Sequence, residues 1–170
     1  MELMKAIKER RSIRSYDASK PITDEDLKTV LTAAMYAPSA MNKQPWDFVV
    51  IRDEQILEQI REIHPYAGFI TDAGTAVAVC GNTHESYATY APIDVALATQ
   101  NMMLAAHALG LGSCWIHRAL EVFDSNEGKE ILRDLGIEGD YEGIGFCIIG
   151  YPTNELPPPP ARRSGRVFKV

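Results

Sequence analysis

The sequence is poor in cysteine and in positive charge, and each shortage excludes a class of protein. Its three cysteines, Cys80, Cys114 and Cys147, are an odd number and lie far apart, each within an apolar segment. They therefore form neither a disulfide framework nor a metal knuckle. The 17 Lys and Arg against 23 Asp and Glu give a net charge of −6, which argues against nucleic-acid binding. We predict small buried thiols in a reducing compartment, with no metal site.

Long apolar runs are also missing. Residues 91–112 form the longest stretch of low charge, and Asp94, Asn101 and His107 interrupt it, so it is not a membrane span. No basic segment followed by an apolar one opens the chain, so we expect no secretory signal, no membrane partner and a cytoplasmic location. The length of 170 residues fits a single domain over 1–170.

The apolar spacing predicts helices and short strands along the chain. Thr23 with Asp26 resembles a capping box at the start of one helix, and Pro38 ends that helix. Runs of β-forming residues predict the strands, and a period of 3.6 predicts the helices. Helices are expected up to residue 9 and over 23–37, 54–63, 92–109 and 127–135, and strands over 46–51, 76–81, 112–116 and 141–150.

Three arginines fall within five residues where the first helix should end: Arg10, Arg11 and Arg14. In an extended segment Arg10, Ser12 and Arg14 would point to one side, and Arg11 and Ile13 to the other. Two guanidinium groups around a hydroxyl suit a dianionic phosphate. Arginines in this position can instead cap the carbonyl groups of the helix C-terminus, and the spacing alone leaves both interpretations open.

Two further segments are candidates for binding. Residues 37–46 hold polar side chains, including Ser39 and Asn42, between two prolines, and such side chains either bind a ligand or make turns. The four prolines Pro157–Pro160 favour a stiff polyproline arm. The strand-like residues 166–170 follow, which suggests pairing with a sheet edge elsewhere; a frayed tail or a ligand for a proline-reading domain is the alternative.

No set of reacting side chains is evident. Gly110 and Gly112 are not followed by a glycine at 115, and their segment runs from a helix into a strand, so we reject a dinucleotide fingerprint. The four histidines show no metal spacing, and His117 with Arg118 is either a surface pair or a catalytic one. Binding groups without acid–base or nucleophilic partners indicate that a cofactor carries the chemistry.

At these motifs the chain resembles the FMN-dependent nitroreductase family, almost from end to end. The resemblance rests on five segments in this order: 10–16, 37–46, 109–116, 150–152 and 162–163. It implies an α+β fold with a central, mostly antiparallel sheet wrapped by helices. It also implies an intertwined homodimer with flavin at the interface, in which the C-terminal arm, residues 155–170, extends over the partner subunit.

The resemblance further implies which residues hold the FMN. Its phosphate, ribityl chain and pyrimidine would be held by residues from both ends of the chain: Arg10, Arg11, Ser12, Arg14, Arg162 and Arg163. The other subunit would add a loop to the same flavin: Pro38, Ser39, Ala40 and Asn42. One strand would pass near the flavin ring: Trp115, Ile116 and His117. Tyr66 falls where several members carry a polar residue against the flavin pyrimidine.

The activity implied by the resemblance is an FMN-dependent NAD(P)H oxidoreductase. Such an enzyme reduces nitroaromatic or quinone acceptors by ping-pong hydride transfer, with NAD(P)H as co-substrate. One alternative is another flavin reaction on the same scaffold, such as reductive dehalogenation or flavin fragmentation. Another is a non-catalytic phosphate-binding dimer whose arginines serve a partner protein.

Overall fold

The computed structural model describes residues 2–82, 90–117, 119–134, 136 and 141–169, apart from the side chains of Leu120 and Glu121. The helices in this part of the chain are α1 (Leu3–Glu9), α2 (Asp24–Met35), α3 (Glu54–Ile63), α4 (Ile70–Ala73), α5 (Ala91–Ala108), α6 (Ala119–Phe123) and α7 (Asn126–Asp134). The strands are β1 (Trp46–Ile51), β2 (Ala76–Asn82), β3 (Gly112–His117) and β4 (Tyr141–Gly150). None of the described helices is long and apolar enough to cross a membrane.

The four strands form one sheet with helices on both faces. Their order is β1-β2-β4-β3, and every neighbouring pair is antiparallel. Side chains of α3, α4 and α6 pack with Phe146 and Ile148 on one face. Side chains of α2 and α5 pack with Cys147 and Ile149 on the other. The predicted α+β architecture with a mostly antiparallel sheet is therefore confirmed.

Local signals in the sequence set several boundaries correctly. The observed ranges of β1, α3 and β4 equal the predicted ones. The Thr23 hydroxyl accepts a hydrogen bond from the backbone N of Asp26 at 3.0 Å, which caps α2 as predicted. Pro92 lies in the first turn of α5, and Gly110 follows the helix with a φ of 80°, in the left-handed region that favours glycine.

The shortest helical elements have no clear sequence signal. Helices α4 and α6 and the 3₁₀ turn Ala40–Asn42 were not predicted, because three to five residues are too few to show a helical period. Met35 follows the apolar spacing of Leu27, Val30, Leu31 and Ala34 in α2, which predicts burial, but it is exposed.

Residues 166–169 are exposed and form no strand within the single chain, so the pairing of this strand-like segment with a sheet edge elsewhere stays a prediction; Val170 lies outside the described residues. A strand needs a neighbouring strand for its hydrogen bonds, and in a single chain this segment pairs with none of the described strands.

The cysteines are buried thiols, as predicted. Cys80, Cys114 and Cys147 are all free and buried. Burial raises the pKa of Cys80 and of Cys147 to about 12, so both remain protonated and act as small apolar side chains.

Gly145 of β4 lies directly beneath the indole of Trp115, and its lack of a side chain permits this contact. A Cβ at Gly145 would lie 2.7 Å from the Trp115 ring and 2.8 Å from the carbonyl oxygen of Ile116. We predict that Gly145→Ala lowers the free energy of unfolding by about 1–3 kcal/mol through overpacking, measured by urea denaturation. Gly68→Ala is the matched control, because no heavy atom lies within 4 Å of a Cβ there. Equal stability of the two variants would contradict this account.

Candidate functional site

The segment that carries Arg10, Arg11 and Arg14 follows α1 in an extended conformation and runs beside β3. Arg11 and Ile13 are buried and Ser12 and Arg14 are exposed, whereas Arg10 is half-buried, so the predicted alternation of side chains is present from Arg11 to Arg14. The backbone N of Ile13 donates to the carbonyl oxygen of Ser113 at 2.9 Å. This hydrogen bond ties the segment to the first residues of β3.

Arg11 caps α1. Its Nη1 donates to the carbonyl oxygens of Lys8 and Arg10, which is the capping interpretation that the spacing had left open. Three other guanidinium nitrogens are buried without a hydrogen-bond partner among the described residues: Nη1 of Arg10, and Nε and Nη2 of Arg11. Buried donors of this kind are costly unless a ligand or water satisfies them.

Positive charge from both ends of the chain gathers at Arg10. Burial lowers the pKa of Arg10, and the charges of Arg11 and Arg162 lower it further. The structure thus brings Arg162, from the C-terminal segment, close to the N-terminal arginines. Arg163 is exposed. Like charges that are partly removed from water repel one another. A bound anion would attract all of these cations and so turn the net repulsion within the group into a net attraction.

His107, in the last turn of α5, lies against the same arginines. It is buried, and its Nε2 has no hydrogen-bond partner within the described part of the chain. Burial lowers the pKa of His107, and the charges of Arg10, Arg11 and Lys5 also lower it, while Glu9 opposes them. The neutral imidazole is therefore favoured. The sequence carries no local signal for this site, because the neighbours of His107 lie in α1 and just after it, far away along the chain.

The loop of residues 37–46 is attached to the N-terminal end of α5, opposite the end that carries His107. The backbone N of Ala40 donates to both carboxylate oxygens of Asp94, at 3.1 and 3.2 Å, and Asp94 is only 4% exposed. A carboxylate in the first turn of an otherwise apolar helix was the sequence signal for this contact. A cavity of about 250 Å³ lies between the loop and the helix and is lined by Pro38, Ser39, Ala40, Tyr90, Ile93, Asp94 and Leu97.

The backbone of this loop is strained. Met41, Asn42 and Gln44 have φ values of 52°, 55° and 50°, in the left-handed region that non-glycine residues seldom adopt. The Ser39 hydroxyl accepts a hydrogen bond from the backbone N of Gln44 at 2.9 Å, so Ser39 makes the turn. Strain that the surrounding contacts maintain is typical of functional loops.

The loop and the arginines do not meet within one chain. Asp94 holds the loop and His107 lies against the arginines, and the two are 13 residues apart on α5. At 1.5 Å per residue this separation is about 20 Å. The structure therefore joins Arg10, Arg11, Ser12 and Arg162 in one group and Pro38, Ser39 and Ala40 in another.

The predicted residues of β3 differ in what they expose. Trp115 is half-buried and His117 is exposed, and their rings stack with centroids 6.2 Å apart. The side chain of Ile116 is buried in the core, so it does not face a ligand site. Arg118 and His84 lie outside the described residues. No group of histidine, cysteine or acidic residues within the described ranges could hold a metal ion.

Comparisons with known proteins agree with this geometry. The model of the nitroreductase family matches residues 7–64 and 64–151. Two relatives bear the provisional name NADH dehydrogenase/NAD(P)H nitroreductase. The one from Methanothermobacter thermautotrophicus is 42% identical over 156 residues, 90% of this chain and 78% of its own. The one from Archaeoglobus fulgidus is 39% identical over 157 residues, 91% of this chain and 87% of its own.

A solved structure has the same fold. It is the crystal structure of a Bacteroides fragilis nitroreductase with bound FMN, which is 29% identical to this chain with a TM-score of 0.82. The match covers 100% of this chain and 99% of that one. From the family match and the two relatives, we conclude that the chain belongs to the nitroreductase family.

Proposed function

We propose that this chain is an FMN-dependent NAD(P)H oxidoreductase that reduces nitroaromatic or quinone acceptors by a ping-pong exchange. The observation that carries the proposal is the group of buried guanidinium nitrogens on Arg10 and Arg11 that lack partners among the described residues. Their charges, together with that of Arg162, call for a dianion such as the phosphate of FMN. The FMN bound to the Bacteroides fragilis protein supports the same cofactor, and the names of the two relatives support NAD(P)H as co-substrate.

The residues present fit this cofactor. Nη1 of Arg10 and the unpartnered nitrogens of Arg11 would donate to the phosphate, and the exposed C-terminal arginines, Arg162 and Arg163, would close over it. The exposed side chains of Ser12 and Arg14 would reach the ribityl and pyrimidine oxygens. When bound, FMN supplies two-electron transfer from NAD(P)H to an acceptor. The chain's own task is to orient the substrates and to exclude water.

A second copy of the chain would complete the site. In a two-fold pairing of α5 helices the interface is isologous, and the loop end of one helix lies beside the arginine end of the other. The helix exposes Ile93 and Leu97, and α1, which packs against it, exposes Leu3, Met4 and Ile7. Exposed apolar side chains in such numbers favour an interface. Residues 155–169 would extend over the partner subunit, in a cytoplasmic protein.

The shared site predicts that FMN and dimer are lost together. Ile93→Arg places a charge in the proposed interface, and we expect a monomer that releases its FMN. Sedimentation with detection at the flavin wavelength measures both quantities. Thr29→Arg, at an exposed position of α2, is the control and should stay dimeric and yellow. A monomeric Ile93→Arg that keeps its full FMN would contradict the shared site.

The absorption spectrum of the purified protein tests the proposed function. We expect a flavin spectrum as purified or after addition of FMN, bleaching on anaerobic titration with NADH or NADPH, and recovery on addition of a nitroaromatic or a quinone. A protein that stays colourless with added FMN would support a non-catalytic phosphate-binding dimer instead. Product analysis would identify dehalogenation or flavin fragmentation if the reduced flavin is not reoxidised by these acceptors.

The role of Arg10 is tested by comparing FMN with riboflavin, which lacks the phosphate. A hydrogen bond to a charged group contributes about 1.5–3 kcal/mol. We therefore expect Arg10→Ala to weaken FMN binding about tenfold to a hundredfold and to leave riboflavin binding nearly unchanged, as measured by fluorescence titration. Arg133→Ala, which removes an exposed guanidinium paired with Glu130 at 3.6 Å, is the control. An equal loss for both flavins would show that Arg10 does not bind the phosphate.

A further inference from the structure

His64 uses both nitrogens of its imidazole to join two separate parts of the chain. It follows the last residue of α3 and is 2% exposed. Its Nε2 lies 3.0 Å from the carbonyl oxygen of His117, the last residue of β3. Its Nδ1 lies 3.2 Å from the backbone N of Tyr66.

These partners determine the protonation of the ring. A carbonyl oxygen can only accept a hydrogen bond and a backbone N–H can only donate one. Nε2 must therefore carry the hydrogen and Nδ1 must carry the lone pair, which describes a neutral imidazole in the Nε2–H form. A charged imidazole, or the opposite tautomer, would lose the bond to Tyr66.

Packing holds this ring in one orientation. Its edge meets the buried ring of Phe146, with centroids 6.4 Å apart and planes at 86°. On the other side it meets the ring of Tyr66, with centroids 6.1 Å apart and planes at 68°. The carbonyl oxygen of His64 also accepts a hydrogen bond from the backbone N of Ala67 at 3.0 Å. The turn that carries Tyr66 is thus built around His64.

The two groups that His64 joins both present aromatic side chains to solvent. Tyr66 is 68% exposed, and His117 is exposed and stacks on Trp115. Trp115 itself is half-buried against the core, so the exposed aromatic surface belongs to Tyr66 and His117. Planar π-systems stack favourably on such side chains, and the acceptors of the proposed reaction are planar and aromatic or quinonoid.

We propose that His64 is a positioning residue for the electron acceptor. Its imidazole fastens the backbone of Tyr66 to the backbone of His117, and so holds the side chains of Tyr66 and His117 in a fixed relation beside the flavin site. This inference rests on the proposed function, because it requires an acceptor that enters next to β3. His64 itself touches neither cofactor nor acceptor.

Three substitutions separate the two hydrogen bonds. In His64→Gln the side-chain amide nitrogen reaches the place of Nε2 and can donate to His117. In His64→Asn the side-chain oxygen reaches the place of Nδ1 and can accept from Tyr66. His64→Phe keeps a ring of similar size against Phe146 and loses both bonds. Glu62→Gln, at an exposed position in the last turn of α3, is the matched control.

We expect the KM for a nitroaromatic acceptor to rise about two- to tenfold in His64→Gln and in His64→Asn, the range expected from one lost hydrogen bond. The rise should be larger in His64→Phe. The dissociation constant for FMN is measured for each variant so that the KM values are compared at saturating FMN, because Tyr66 and His117 also lie beside the proposed flavin site. The Glu62→Gln control should match the wild type in both quantities.

The imidazole ¹⁵N NMR spectrum of the FMN-loaded wild type provides an independent readout. The His64 signal is assigned by its absence from the spectrum of His64→Gln. In the wild type its chemical shifts should be those of the Nε2–H form. An Nδ1–H form would overturn the proposal, as would an unchanged KM in folded, FMN-loaded His64→Phe. If His64→Phe does not fold, an unchanged KM in both single-bond variants overturns it equally. If the wild type binds no FMN, that result would instead contradict the proposed function, and with it this inference.

Discussion

Several arginine side chains lie together, partly buried, at the C-terminal end of α1. The rest of the candidate site depends on how their positive charge is balanced. The guanidinium of Arg11 is buried and partly satisfied by the carbonyl groups of α1. Arg10 and Arg162 add their charges beside it, and His107 is kept neutral beneath them. Cations that are withdrawn from water and repel one another are stabilised by a bound anion. A ligand with a phosphate group would therefore stabilise the folded chain as it binds.

Helix α5 sets the distances within this arrangement. Near its first turn Asp94 holds the strained loop through the backbone of Ala40, and near its end His107 meets the arginines. About 20 Å of rigid helix keep the two groups apart. Since a helix cannot shorten, both groups can surround one flavin most simply when a second chain is turned the opposite way. The exposed Ile93 and Leu97 would supply the apolar contact of the proposed dimer.

Much of the fold was predictable from the sequence because the strongest signals are local. The ranges of β1, α3 and β4 were predicted correctly, since each contains enough apolar residues to show its period. The short helices α4 and α6 were not predicted, since neither spans two turns and both owe their stability to the core beneath them. Residues 166–169 have the composition of a strand but lie exposed without a strand partner in the described sheet.

The amino-acid sequence by itself determined the kinds of groups available: an arginine cluster after a helix, a polar loop between two prolines, and buried thiols. It also determined the periodicity that builds the sheet and its helices, because both depend on neighbours along the chain. Only the tertiary structure decided that Arg11 caps α1 while Arg162 approaches Arg10, that Asp94 carries the loop, and that His64 joins Tyr66 to His117. These contacts link residues up to 152 positions apart, and distances in space between such residues arise only when the core packs.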